Sequence, residues 1–266
     1  MPHRYCGAVP ARDYPYFAAR FCALAHRGGD AAGAEVENSI SAFAAAVGLG
    51  YTHLETDVHA TADGVLVAFH DERLDRVTDA AGAVAALPWA AVREARIGGR
   101  EPVSTLDELL DAFPAAFFNI DIKADAAVAP LARAIARHAA QERVCVGSFS
   151  TRRIRAFRRL VGTQVATSAD PAAVALYAFG AGARRVGRPA GEALQIPVRE
   201  ESRGLLLVKP ALLRAAHGAG KVVHVWTVND RAEMNRLIDL GVDGLVSDDV
   251  VALKEVLTER GLWDAA

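Results

Sequence analysis

Short apolar runs alternate along the chain with longer segments whose apolar residues recur every three or four positions, the periods of buried strand and amphipathic helix. The first run, Phe21-Cys22-Ala23-Leu24-Ala25, ends at His26-Arg27-Gly28-Gly29. After a polar loop, Glu37-Asn38-Ser39 caps a helix that carries Ile40, Phe43, Ala44 and Val47 and is closed by Gly48 or Gly50. In His53–His59, Leu54, Thr56 and Val58 alternate with polar neighbours, and Tyr51-Thr52 favours a β start. Ala62-Asp63-Gly64 makes a tight turn before the strand Val65–Phe69, which runs into His70-Asp71. From Ser104-Thr105 the rhythm is regular. A capped helix through Leu106, Leu109, Leu110 and Phe113 precedes strands at 116–123, 143–147, 164–167, 193–197, 222–226 and 244–247. Helices near 126–138, 151–160, 172–179, 210–217 and 230–240 separate them, and a last helix runs from Asp249 to about Glu259.

This alternation is the pattern of parallel β structure buried by helices. Strands beginning near 22, 53, 116, 143, 164, 193, 222 and 244 make eight, with 65–69 as an extra strand close to the rim. Eight β/α units in ~250 residues predict an α/β fold of the (β/α)8 TIM barrel type. A doubly wound open sheet would be favoured by a GxGxxG turn after the first strand, and His26-Arg27-Gly28-Gly29-Asp30 is not one. Residues 1–20, rich in Pro, Arg and aromatics but without period, predict an N-terminal arm lying on the body. Residues 21–266 then form a single catalytic barrel domain, with a small insertion at about 72–102 where the rhythm breaks.

Within that frame the unusual polar residues gather at one end. Period two places Glu55 and Asp57 on one face of their strand, and two such carboxylates repel each other unless a cation sits between them. His26 and Arg27 end the first strand, Asp121 and Lys123 the third, and Trp226 the seventh; His70 also stands at a strand end. In a barrel these would meet on the C-terminal rim, where barrel enzymes hold their active sites. Glu55, Asp57 and Asp121, with no cysteine near, favour a hard divalent cation, Mg2+ or Ca2+, over zinc. Arg27 and Lys123 beside that ion suit a phosphate, and His26 and His70 supply a general base and a general acid. Together these parts predict phosphodiester cleavage.

Composition narrows the partners. The chain has 266 residues, 52% of them hydrophobic, and a formal net charge of −2, so a large core is possible and no basic stripe exists for nucleic acid. Its 3 cysteines, without CxxC spacing, suggest neither a disulfide scaffold nor a zinc ribbon. No secretory-type leader and no bilayer-length apolar run is visible, which predicts a cytoplasmic protein without stable membrane insertion; oligomeric state is left open.

The ordered set His26-Arg27-Gly28, Glu37-Asn38-Ser39, Glu55-Thr56-Asp57-Val58, Asp63-Gly64, His70-Asp71 and Val225-Trp226-Thr227-Val228-Asn229 resembles the glycerophosphodiester phosphodiesterase family, from about residue 22 to 258. The resemblance implies hydrolysis of small-molecule glycerophosphodiesters to sn-glycerol 3-phosphate and an alcohol. It implies that His26 and His70 are the acid/base pair, and that Glu55, Asp57 and Asp121 hold the metal. By the same resemblance Arg27 and Lys123 contact phosphate, and the glycerol hydroxyl attacks phosphorus first to give a cyclic phosphate. Glu37 is expected to orient Arg27, and Trp226 to wall the pocket against the glycerol carbons. His53 and His59 share the face of Glu55 and Asp57 but are expected to be structural. Three departures stand out: Asp121 where the family has Glu, Val36 where it has Pro, and Ser247-Asp248 where it has Thr-Asp. The shorter Asp121 requires the metal to sit nearer its strand or to be reached through water. Two rival functions are a phospholipase D-type lyase of the same superfamily acting on lysolipids, and a non-catalytic barrel that binds phosphorylated metabolites. The leaving alcohol is not specified.

Overall fold

A computed structural model describes residues 10–179, 190–200 and 204–263. Eight parallel strands form the predicted barrel: β1 Cys22–His26, β2 His53–Ala60, β3 Phe117–Ile122, β4 Val144–Gly147, β5 Ala166–Thr167, β6 Ala193–Pro197, β7 Val222–Trp226 and β8 Gly244–Ser247. Their hydrogen-bonded order is β5-β4-β3-β2-β1-β8-β7-β6. The two ends approach through a single parallel bridge, Ser168 to Ala193, with the Ala169 N–H donating to the Ala193 carbonyl at 2.7 Å, so the barrel is nearly closed.

Each strand is followed by a helix on the outside: α1 Ile40–Gly48, α2 Leu106–Ala112, α3 Val128–Arg137, α4 Thr151–Val161, α5 Pro171–Phe179, α6 Pro210–Gly218, α7 Arg231–Leu240 and α8 Val250–Glu259. Polar side chains cap their first turns. Ser39, Ser150, Asp230 and Asp249 each accept from the third residue onward, and Thr105 with Glu108 makes a reciprocal capping box. The main core lies between strands and helices, where Leu54 and Val58 of β2 and Phe118, Ile120 and Ile122 of β3 are buried. Period two therefore turns His53, Glu55, Asp57 and His59 to the opposite face, towards the barrel interior. Among the described residues no helix is long and apolar enough to cross a membrane.

Residues 10–20 run beneath the barrel; residues 1–9 of the predicted arm lie outside the described residues. Ala11, Tyr14, Tyr16 and Phe17 pack with Cys145, Ala166, Ala193 and Val222, all at or near the starts of their strands. The ring of Tyr16 meets that of His53 edge-on, and the His53 Nε2 lies 2.9 Å from the Tyr16 carbonyl. His224 is fully buried over Phe17, with neither ring nitrogen hydrogen-bonded among the described residues.

At the other end, the last residues of β2 pair antiparallel with Leu66–Ala68. The segment that follows closes on its own apolar cluster of Val67, Phe69, Leu74, Val84, Val92, Ala95, Ile97 and Val103. It contains a short helix, Trp89–Val92, and a small hairpin of Arg96–Ile97 with Glu101–Pro102.

Candidate active site

The turn after β1 sets the first part of the site. Arg27 adopts a left-handed backbone (φ 52°) and Gly28 follows at φ 90°. A Cβ at Gly28 would stand 2.7 Å from the Ala42 Cβ, so only glycine lets this turn lie on the start of α1. The Arg27 N–H donates to Glu55 Oε2 at 3.1 Å, its Nη1 donates to Glu37 Oε1 at 3.2 Å, and its Nε stands 3.2 Å from Asp57 Oδ2. Asn38, also left-handed (φ 60°), accepts from the Thr56 hydroxyl at 2.7 Å and donates to Asp57 at 3.4 Å. The loop before α1 is thereby tied to the acidic face of β2.

The second part is carboxylate. Asp57 and Asp121 are register partners across β2 and β3, and Lys123 Nζ lies 2.9 Å from Asp57 Oδ1 and 2.7 Å from Asp121 Oδ2. Burial opposes ionisation of Asp57, but Lys123 and Arg27 hold it below the usual carboxylate range. Burial and the neighbouring Asp57 charge push Glu55 up to about 7, and burial raises Asp121 as well. Asp121 Oδ2 meets the Lys123 ammonium, while its buried Oδ1 has no hydrogen-bond donor among the described residues. Three acids, two of them held reluctant to ionise, gather around the Arg27 and Lys123 cations and form a site short of positive charge. Such an all-oxygen set fits a hard divalent cation. Among the described residues no three His, Cys, Asp or Glu side chains are drawn together as closely as metal coordination requires; here the Lys123 ammonium bridges Asp57 and Asp121 instead.

Two histidines flank the acids, and each has a carboxylate behind it. His26 Nδ1 lies 2.5 Å from Asp248 Oδ1, while its Nε2 is 3.8 Å from Glu55 Oε2. Asp248 is itself fixed by Asn229, which donates from Nδ2 at 2.9 Å and accepts the Asp248 N–H at 2.9 Å. Burial works against the charged form of His26, but Glu55 and Asp248 outweigh it and raise its pKa. His70 Nδ1 lies 2.6 Å from Asp71 Oδ1, and Arg76 grips the same carboxylate. Arg76 and His70 hold Asp71 down to about 2. His70 is near enough to Asp57 and Asp121 to favour their ionised forms. A carboxylate on Nδ1 fixes the tautomer and leaves Nε2 to exchange a proton.

An apolar wall completes the mouth. The Phe149 ring, in the turn after β4, meets the Trp226 ring edge-on at 5.3 Å, and Lys123 Nζ stands 5.4 Å from its centroid. Phe149 is 64% exposed, unusual for a phenylalanine and suited to touching a ligand's carbon skeleton.

Of the residues singled out in the sequence, His26, Arg27, Glu37, Glu55, Asp57, Asp121 and Lys123 are directly linked by these contacts. His70 joins through Asp71 and Arg76, and Trp226 through Phe149. His53 and His59 stand apart from this set: His53 faces the arm, and His59 Nε2 is 3.1 Å from the His70 carbonyl. Asp248, Asn229, Asn38, Arg76 and Phe149 were not identified from sequence as site groups. Asp71, Asn38, Asn229 and Asp248 sit inside or beside quoted motifs, whereas Arg76 and Phe149 carry no such signal.

A sequence model described as "Glycerophosphoryl diester phosphodiesterase family" matches residues 26–252. A probable glycerophosphodiester phosphodiesterase 2 of Mycobacterium tuberculosis is 40% identical over 268 residues, spanning 98% of this chain and 99% of that protein. In fold, the chain resembles a putative glycerophosphoryl diester phosphodiesterase from Silicibacter pomeroyi, with a TM-score of 0.76 at 23% identity over 93% of this chain and 98% of that one. It also resembles an Oleispira antarctica phosphodiesterase solved with the product sn-glycerol-3-phosphate, with a TM-score of 0.74 at 21% identity over 89% and 96% of the two chains.

Proposed function

The chain belongs to the glycerophosphoryl diester phosphodiesterase family of enzymes, and from that premise we propose that it hydrolyses glycerophosphodiesters to sn-glycerol 3-phosphate and an alcohol, with His26 and His70 as the acid/base pair. The observation that carries this reading is the pairing of both imidazoles with carboxylates at Nδ1, beside a cluster of acids and two cations at one barrel mouth. One imidazole takes a proton at Nε2 from the attacking glycerol hydroxyl, and the other gives a proton to the leaving alcohol oxygen. Water then opens the resulting cyclic phosphate to glycerol 3-phosphate with the two proton roles reversed. Arg27 and Lys123 bind the phosphate oxygens and balance the charge that develops on them. Glu55, Asp57 and Asp121 would hold Mg2+ or Ca2+, which polarises the phosphate when bound. Lys123 would then turn from the acids towards the phosphate. Glu37 holds the Arg27 guanidinium in place, and Trp226 with Phe149 walls the glycerol side. The substrate is a small soluble diester met in the cytoplasm.

The test is glycerol 3-phosphate release from glycerophosphocholine, with phosphorus NMR of the product. Turnover that stops with chelator and returns with Mg2+ or Ca2+ supports the reading. Absent or chelator-insensitive turnover overturns it.

A further inference from the structure

Arg76 belongs to the rim segment, in the short turn Leu74–Arg76, yet its guanidinium reaches the acids behind two site residues. Its Nε donates to Asp71 Oδ2 at 2.5 Å and its Nη2 to Asp71 Oδ1 at 3.1 Å. The same group donates from Nη1 to Glu37 Oε2 at 3.2 Å and from Nη2 to Glu37 Oε1 at 2.6 Å. Asp71 Oδ1 is also the atom facing His70 Nδ1, and Glu37 Oε1 is also the atom that accepts from Arg27. One planar fork therefore joins a chain of contacts running His70, Asp71, Arg76, Glu37, Arg27. Its two ends come from different parts of the fold, the strand after β2 and the loop after β1.

We propose that Arg76 is a positioning residue that clamps Asp71 behind His70 and Glu37 behind Arg27, and so fixes the acid/base side of the site against its phosphate-binding side. This deepens the function proposed above and rests on the roles given there to His70 and Arg27. Bidentate geometry is what makes the clamp directional. A guanidinium presents parallel N–H groups to each carboxylate and orients both, whereas an ammonium is a point charge that orients neither. The anchor is firm. Leu74, two residues before Arg76, is buried in the rim segment's own core, and the Leu74 N–H donates to the Gly82 carbonyl at 3.0 Å. The Arg76 side chain is itself about half exposed (49%), so its ion pairs contribute little to global stability. Its contribution is geometric, and it gives the rim segment a part in the reaction.

The experiment compares native enzyme with Arg76→Ala and Arg76→Lys on glycerophosphocholine, with Arg93→Ala as a control on the same segment. Arg76→Ala is expected to lose about 10- to 100-fold in kcat, the range for groups that orient a ligand or catalytic side chain. KM should rise as well, because Arg27 is released together with His70, while Tm stays close to native. Arg76→Lys should recover little of the loss, added guanidinium should restore part of it to Arg76→Ala, and Arg93→Ala should match native. A second measurement does not depend on turnover: 15N NMR of the His70 ring. A dominant Nδ1–H form in the native protein that gives way to a mixture in Arg76→Ala supports the clamp. Native kcat and KM in Arg76→Ala, full rescue by lysine, or an unchanged His70 tautomer would each overturn it. A native enzyme that fails to cleave the diester counts against the proposed function, and the NMR comparison still decides the clamp.

Discussion

Asp57 and Asp121 face each other across β2 and β3 in parallel register, and the ammonium of Lys123 stands between them. Without it, two buried like charges confront each other. Lys123→Met is therefore expected to destabilise the chelated protein by about 3 kcal/mol, the usual cost of leaving one half of a buried ion pair alone. Added Mg2+ or Ca2+ should recover much of that loss by replacing the missing charge. Urea unfolding at pH 7.5, with EDTA and then with metal, checks both halves.

Asp121 meets the Lys123 ammonium through Oδ2, and its buried Oδ1 has no hydrogen-bond donor among the described residues. Asp121→Asn keeps the shape and removes the charge, so metal affinity should weaken before anything else does. The concentration of Mg2+ or Ca2+ for half-maximal turnover should rise at least about tenfold, with kcat at saturating metal less affected. A metal titration that matches native would remove Asp121 from the ligand set.

His26→Ala and His70→Ala should each lower kcat by about 10²- to 10⁴-fold, the range for losing a general acid or base. Both changes are on partly open side chains at the mouth, so the fold should survive, as circular dichroism and Tm would report. Near-native rates in both variants would break the acid/base assignment.

How much of this was legible in the sequence depended on the range of the signal. The barrel was, because each strand and helix carries its own period and cap within about ten residues. The fifth strand was read at 164–167 and is only Ala166–Thr167, because the sheet closes there through one bridge and loop hydrogen bonds instead of a full ladder. Glu55 and Asp57 were legible because alternation fixes their face. Asp248 as the partner of His26 was not, because the two are 222 residues apart and only the closure of β8 onto β1 brings them together. Arg76 was hidden for a related reason: its turn belongs to an irregular segment whose docking follows from packing of Leu74 and its neighbours, not from any period. Phe149 read as one more apolar residue after a strand, and its exposure is visible only in three dimensions.

Acid should loosen the lower half of the barrel. Burial lowers the pKa of both His53 and His224 to about 4, against about 6.5 in the unfolded chain. Between those values the unfolded chain takes up protons that the folded chain refuses, so stability falls as pH drops from about 6.5 towards 4 and levels off below. The full effect is on the order of 3 kcal/mol for each histidine. His224→Leu removes a fully buried ring whose two nitrogens have no partner among the described residues. It should leave stability at pH 7.5 unchanged or higher and take away the share of the acid sensitivity that His224 carries. Urea unfolding of native and variant protein across pH 7.5 to 4 tests this, and equal slopes would sink it.

The bond from the Arg27 backbone N–H to Glu55 gives position 27 a double identity. Its guanidinium can be erased by any substitution, but its amide stays wherever the turn survives, still facing the same acid. An alanine scan therefore sees only the half of this residue that side chains encode. Probing the other half calls for altering the main chain itself, by an ester in place of the amide, since proline cannot adopt the left-handed backbone of position 27.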